Sequence, residues 1–303
     1  MHENLDLARR IEAFDTVYNR KPQLYRVTPL TLVYTPNSYE QAAMRDAVMS
    51  YMAASNGTFS QELSLLKFYD TKPPACVTPN GMIVPKRNTI LEYNTVVRRF
   101  AYTMRQLCLS GLIESWHIPL NVRFKSSHLC AENMSRAHPT EHAHSDSWAG
   151  ESSESVTVHI PILGDTECNY VQMFYPDNEF RDDWLGPRPS YANGHTLLGH
   201  YAAVNYTVPR GSVALMDFAT LHASTRLPGC GPRVSIDTTF VLKKNGMSEK
   251  IHQWREGERA STDILNGIGE SHLFYFPDAP DARVDSQGGF KHPTNLIIKR
   301  IHD

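Results

Sequence analysis

Between residues 121 and 243 the chain is cut into short runs of β-branched and aromatic residues, and that pattern restricts it to a layered β fold. The runs are NVRFK (121–125), SVTVHIPI (155–162), NYVQMFY (169–175), SVALMDF (212–218) and RVSIDTTFVLK (233–243), parted by Gly, Pro, Asn and Asp. Short strands at this spacing predict a sandwich or jelly roll. Between two of them, residues 177–200 are polar, rich in turn formers and weakly periodic. A loop of that length inside a domain is commonly functional, so it is a candidate lid.

The first third carries helical spacing instead. Leu5, Leu7, Ala8, Ile11 and Phe14 form one stripe. An Asn37-Ser38 cap opens a second through Met44, Ala47, Val48 and Tyr51. A third runs from about Thr89 to Trp116, with Gly111 as a possible break. These helices are expected on the outside of a sheet. Beyond residue 244 the chain turns polar, with a helix expected near 258–267 and a strand at 295–300. The expectation is one domain over 1–303: helical support (1–117), a β core holding the site (118–243) and a C-terminal extension (244–303).

Composition narrows the partners. Thirty basic and thirty-two acidic residues leave a formal net charge of −2, which gives no global field toward nucleic acid or an anionic membrane. A small molecule is the expected partner. Five cysteines (Cys76, Cys108, Cys130, Cys168 and Cys230) are odd in number and never form a C-x-x-C pair, the usage of reduced thiols in a cytosolic protein. With no signal-like apolar stretch at the N-terminus and no window long enough to span a bilayer, the expected location is the cytoplasm.

The strongest local chemistry lies in EHAHSDSW, residues 141–148. In an extended segment His144 and Asp146 face the same way, about 7 Å apart at roughly 3.3 Å per residue. An H-x-D pair alone is common by chance. It gains weight from VPRGSVALMDFATLH (208–222), which ends on His222, and from the following run, which carries Arg233 and Ser235 on one face.

In these residues the sequence resembles the Fe(II)/2-oxoglutarate-dependent dioxygenase superfamily. Its pattern is H-x-D, a distal His tens of residues on, and then an Arg, often as R-x-S. Pro209 and Gly211, as P-x-G, and Phe218 also resemble the turn and strand that lead to the distal His, and the likeness spans roughly 119–243. The resemblance implies a double-stranded β-helix, a jelly-roll, cupin-like barrel, mainly β with flanking helices. It implies Fe(II) held by His144, Asp146 and His222, with 2-oxoglutarate and O2 as co-substrates and hydroxylation of a small metabolite as the default outcome. Arg233 would receive the far carboxylate of 2-oxoglutarate, which a guanidinium fork suits better than an ammonium, with Ser235 adding a hydrogen bond. Halogenating members have a small residue where Asp146 stands. The nucleic-acid demethylases have a second arginine where this chain has Thr239.

Rival readings stay open at this point. His142 would face the same way as His144 in an extended segment, and a cupin-type H-x-H site would use it, although that motif expects Glu where Trp148 and Ala149 stand. Such an enzyme would need no keto acid. A silent binding protein on the same fold would need no iron. Arg226 competes with Arg233 as anchor but precedes a turn-forming stretch, LPGCGP. For the substrate itself, Trp148, Arg123 and Arg181 are the candidates. Arg123 and Lys125 could equally form a solvated face, and Trp148 could be core. Asp237 shares the inward face of Arg233 and needs a partner there, while His159 reads as a satisfied interior histidine.

Overall fold

The computed structural model describes residues 5–20, 23–55, 61–74, 76–129, 134–177, 179–243, 259–260, 265–266, 272–275 and 297–300. Among the described residues four helices, α1 (Leu5–Tyr18), α2 (Ser38–Ala54), α3 (Glu62–Thr71) and α4 (Ile90–Gln106), flank the sheets. The strands in chain order are β1 (Tyr25–Thr28), β2 (Thr31–Tyr34), β3 (Ile113–His117), β4 (Asn121–Lys125), β5 (Ser155–Gly164), β6 (Asn169–Pro176), β7 (Tyr201–Ala203), β8 (Val213–Asp217), β9 (Leu221–Arg226) and β10 (Arg233–Leu242). Three short ones follow, β11 (Arg259–Ala260), β12 (His272–Tyr275) and β13 (Ile297–Arg300).

The larger sheet runs β1-β2-β8-β5-β10-β3-β11, with β4 also pairing with β10. A smaller sheet runs β7-β6-β9, and β12 pairs with β13. The β5 run SVTVHIPIL is buried on both faces, as its near-continuous apolar sequence requires. Between the sheets, Met173 of β6 packs with Val33, Ala214 and Met216 of β2 and β8.

Helix α2 starts where its cap lies, since the Glu40 amide donates to Asn37 Oδ1 at 2.9 Å. Tyr51 of α2 and Tyr93 of α4 are fully buried with ring centroids 5.3 Å apart. Each hydroxyl finds a backbone carbonyl, Ile83 and Leu120 respectively, so neither polar tip is stranded. Phe100 of α4 packs edge-on to Trp116 of β3, which packs in turn on Phe240 of β10.

The helical first third needs correcting in three places. Residues 25–34 form a β1–β2 hairpin whose second strand, TLVY, is buried along its length and extends the large sheet beside β8. Helix α4 stops at Gln106, where Cys108 takes φ 55, and residues 113–117 become β3 rather than more helix. The stripe on α1 is displaced, for Leu5 is exposed and Arg10 is buried. In the C-terminal extension Arg259–Ala260 are strand, Leu265 and Asn266 are helical, and Ile297–Arg300 form the expected strand. The rest of the 258–267 helix lies outside the described residues, as does Cys130. The other four cysteines are free thiols. No helix of the described residues is long and apolar enough to cross a membrane.

Candidate metal centre

His144, Asp146 and His222 converge. Their ligand atoms lie within 4.8 Å of one another, and among the described residues this is the group of three or more that could hold a metal ion. His144 Nε2 is 3.5 Å from Asp146 Oδ1, and His222 Nε2 is 3.8 Å from Asp146 Oδ2.

The route to this geometry differs from simple strand alternation. His144 forms an isolated antiparallel bridge with His222, each amide donating to the other's carbonyl at 3.0 and 2.9 Å. The chain then leaves the extended form, and Asp146 opens a short 3-10 turn, Asp146–Ala149, with Ser145 as its N-cap. The turn, not a strand, brings the carboxylate back beside both imidazoles. His222 itself sits on β9, a strand whose sequence LHASTR carries little apolar alternation and gave no sequence signal.

The donor set fits a metal. His144 Nδ1 lies 2.7 Å from the carbonyl of His142, which only accepts, so Nδ1 donates there and Nε2 is the nitrogen left facing Asp146 and available to a metal. That Nε2 is buried with no hydrogen-bond partner. Burial, together with the neighbouring His144, lowers the pKa of His222 to about 4, so the imidazole is a neutral donor at pH 7. Burial works against ionisation of Asp146, yet His222, His144 and Arg123 outweigh it and hold the carboxyl well below its ordinary range. Two imidazoles and one carboxylate suit a divalent transition ion. Exposure is graded, with the His144 side chain 1% exposed, His222 14% and Asp146 27%, so the trio opens on the Asp146 side.

A second unsatisfied group lies on β10. Register pairs Arg233 with Lys125, Ser235 with Arg123, and Asp237 with Asn121 across β10 and β4. On the other side β5 places His159 opposite Asp237. Arg233 and Ser235 are each 1% exposed. Arg233 Nε and Nη1 and Ser235 Oγ have no hydrogen-bond partner, which is costly for buried donors unless a ligand completes them. Burial and the neighbouring Arg226 lower the pKa of Arg233 to about 10, still charged at pH 7. His159, opposite Asp237 on β5, feels the charges of both groups. Burial, then the charge of Arg233 and more weakly that of His222, lower its pKa to about 3.

Arg123 is no free cation: its Nε and Nη2 each donate to Asp237 at 2.7 Å and its Nη1 donates to the Asn80 carbonyl. That pair also supplies the partner Asp237 needs. Lys125 is buried rather than solvated, donating to Thr140 and Glu141. Arg226 lies on β9 rather than in a loop, and is bound to Glu141 and the Ser126 carbonyl. Trp148 is core, with its indole N–H on the Trp184 carbonyl and its ring beneath Arg188. Arg181, 62% exposed, pairs with Asp183 at the surface. His142 stands outside the trio and faces His195 at 4.9 Å.

Sequence reasoning missed Tyr191. It lies on the 3-10 segment Tyr191–His200 and stacks on the His144 ring at 4.0 Å and 17°. Its amide donates to the Ala137 carbonyl, and the Arg188 amide to that of Trp148, so residues 179–200 sit on the trio as a cover. A Cβ at Gly194 would come within 2.1 Å of the Trp148 ring, which is why a glycine stands there.

No family model and no curated protein matches the chain. Solved structures similar to it include EctD from S. alaskensis with bound Fe, at 14% identity and TM-score 0.40 over 84% of this chain and 85% of that one. The non-haem α-ketoglutarate-dependent epimerase SnoN from nogalamycin biosynthesis aligns at 12% identity and TM-score 0.37, over 83% and 93%. An N-substituted L-amino acid dioxygenase from Burkholderia ambifaria AMMD aligns at 13% identity and TM-score 0.36, over 78% and 91%. At TM-scores this low the likeness carries no weight for function, which rests on the side chains of this chain.

Proposed function

We propose that the protein is a ferrous-iron, 2-oxoglutarate-dependent dioxygenase acting on a small molecule, with hydroxylation as its outcome. The observation that carries this reading is the pairing of two incomplete buried sites: a His-Asp-His trio with an orphaned Nε2, and an arginine with two orphaned nitrogens beside an orphaned serine hydroxyl. A metal alone accounts for the first site. A dianionic keto acid accounts for both, because one end chelates a metal while the other is a carboxylate.

His144, Asp146 and His222 would hold Fe(II), with the keto acid and O2 as its further ligands. Bound there, the iron supplies oxidative decarboxylation of 2-oxoglutarate to succinate and CO2 and oxidation of the substrate. Arg233 and Ser235 bind the distal carboxylate. His142 holds His144 in its metal-binding tautomer through the carbonyl contact. Tyr191 and Trp148 keep water off the His144 side.

The same reading extends to the fold as a jelly roll in one domain. Counting the His144 bridge as a strand, the stretch β4-β10-β5-β8 within the larger sheet and the smaller 144-β9-β6-β7, with Met173 packed between them, support this reading. A cupin-like enzyme using His142 is disfavoured by the position of that ring outside the trio. A silent binding protein would have no need to keep both sites intact.

The test is a screen of candidate metabolites for substrate-stimulated succinate formation coupled to O2 uptake. Uptake without succinate would favour the keto-acid-independent class, and the absence of both, in iron-loaded protein, would favour a binding role.

A further inference from the structure

Helix α1 buries an arginine, an unusual choice for the inward face of a short amphipathic helix, because desolvating a guanidinium is expensive unless its partners repay it. Arg10 is 2% exposed. Its Nε donates to Asp182 Oδ1 at 2.8 Å, and its Nη1 donates to Asp217 Oδ1 at 3.0 Å and to the Ser153 carbonyl at 3.1 Å. Nη2 lies 3.9 Å from Glu154 Oε1, and the guanidinium carbon sits 5.5 Å from the centroid of the Phe180 ring. Arg9 reinforces it, reaching Asp182 at 2.7 Å and Glu154 at 3.2 Å. Asp6 accepts from the Asp182 amide at 3.0 Å.

These contacts fall on three separate stretches, two of them near trio residues in sequence and the third at the start of the cover. Ser153 and Glu154 close the segment that follows the Asp146 turn. Phe180 and Asp182 begin the cover that lays Tyr191 on His144. Asp217 ends β8 and organises the next turn, accepting from the Ala219 amide at 2.7 Å and, through its carbonyl, from the Thr220 amide at 2.8 Å. That turn delivers His222.

We infer that Arg10 is a positioning residue that clamps the 179–200 cover and the turn leading into His222 to one another, making α1 a working part of the site. The inference rests on the function proposed above for its metal, but not for its cover. The clamp is specific in shape: a planar fork reaches Asp182 and Asp217 at once, which a lysine ammonium cannot do in the same geometry.

Two variants test it, with Co(II) as a visible-absorbing probe of the trio and hydrogen exchange read over residues 5–18 and 182–200. Asp182→Asn removes the charge that holds the cover to Arg10 and Arg9, weakening that tie, but leaves Arg10 on Asp217. It is expected to speed exchange in 182–200 by about tenfold while Co(II) affinity stays within about threefold of wild type. Arg10→Lys keeps the charge and loses the fork. It is expected to loosen the cover equally and also to weaken Co(II) binding by about tenfold and alter its absorption spectrum. Wild-type exchange in the cover of Asp182→Asn, or wild-type Co(II) affinity in a folded Arg10→Lys, overturns the inference. Should Arg10→Lys not fold, the Asp182→Asn exchange decides. Wild-type protein that binds no Co(II) defeats the metal assignment, and the clamp then stands or falls on the exchange in the cover.

Discussion

At the scale of single residues, the account turns on which polar atoms the fold leaves incomplete. Arg233 offers two unpaired nitrogens, whereas Arg226, the competing anchor, is spent on Glu141 and Ser126. Removing two charge-assisted hydrogen bonds of about 1.5–3 kcal/mol each predicts that Arg233→Ala weakens 2-oxoglutarate binding roughly a hundredfold or more, with little change in metal affinity. Calorimetric titration checks it, and an Arg226→Ala loss of the same size would move the anchor. Glu141 gives a pH prediction. Burial opposes its charge, but Lys125 and Arg226 lower its pKa to about 2. A folded-state pKa below the unfolded value contributes stability that is present above the unfolded pKa and lost as pH falls through the folded one. The melting temperature should therefore fall as pH drops from about 5 toward 2, and Glu141→Gln should flatten that part of the profile. These residues were legible in different degrees. H-x-D, His222, Arg233 and Ser235 lie in a recognisable spacing, but the burial of Arg10 and the pairing of Arg123 with Asp237 depend on contacts between distant segments, which no local pattern records.

At the scale of elements, the strands with alternating β-branched residues, β4, β5, β6, β8 and β10, stood out in the sequence because their side chains must fill one or two buried faces. Strand β9 did not, since LHASTR is held by pairing with β6 and by the bridge to His144 rather than by apolar content. The hairpin at 25–34 was hidden for a related reason, being short and placed among helices. The cover over 179–200 was visible as a long polar loop, but its seat on His144 was not, because stacking by Tyr191 has no sequence signature. Gly194 tests that seat. Gly194→Ala forces a methyl into the Trp148 ring and should destabilise the cover by about 1–3 kcal/mol, the range for overpacking. Proteolysis within 182–200 should accelerate, and unchanged cleavage would place the cover elsewhere.

At the scale of the whole molecule, the helices pack on the sheets, β9 holds His222 in a bridge to His144, and α1 contacts the cover. Metal should then be felt globally. Binding to the folded state alone at a thousandfold over Kd adds about 4 kcal/mol, so Fe(II) should raise the melting temperature, a chelator should reverse the rise, and His222→Ala should show neither effect. The central claim, that His144, Asp146 and His222 bind a ferrous ion with room for a chelating keto acid, is tested most directly by adding Fe(II) and 2-oxoglutarate without oxygen and recording the visible spectrum. Wild-type protein should develop a weak charge-transfer band that is absent in His222→Ala. A band that survives in the variant, or none in the wild type, would contradict it.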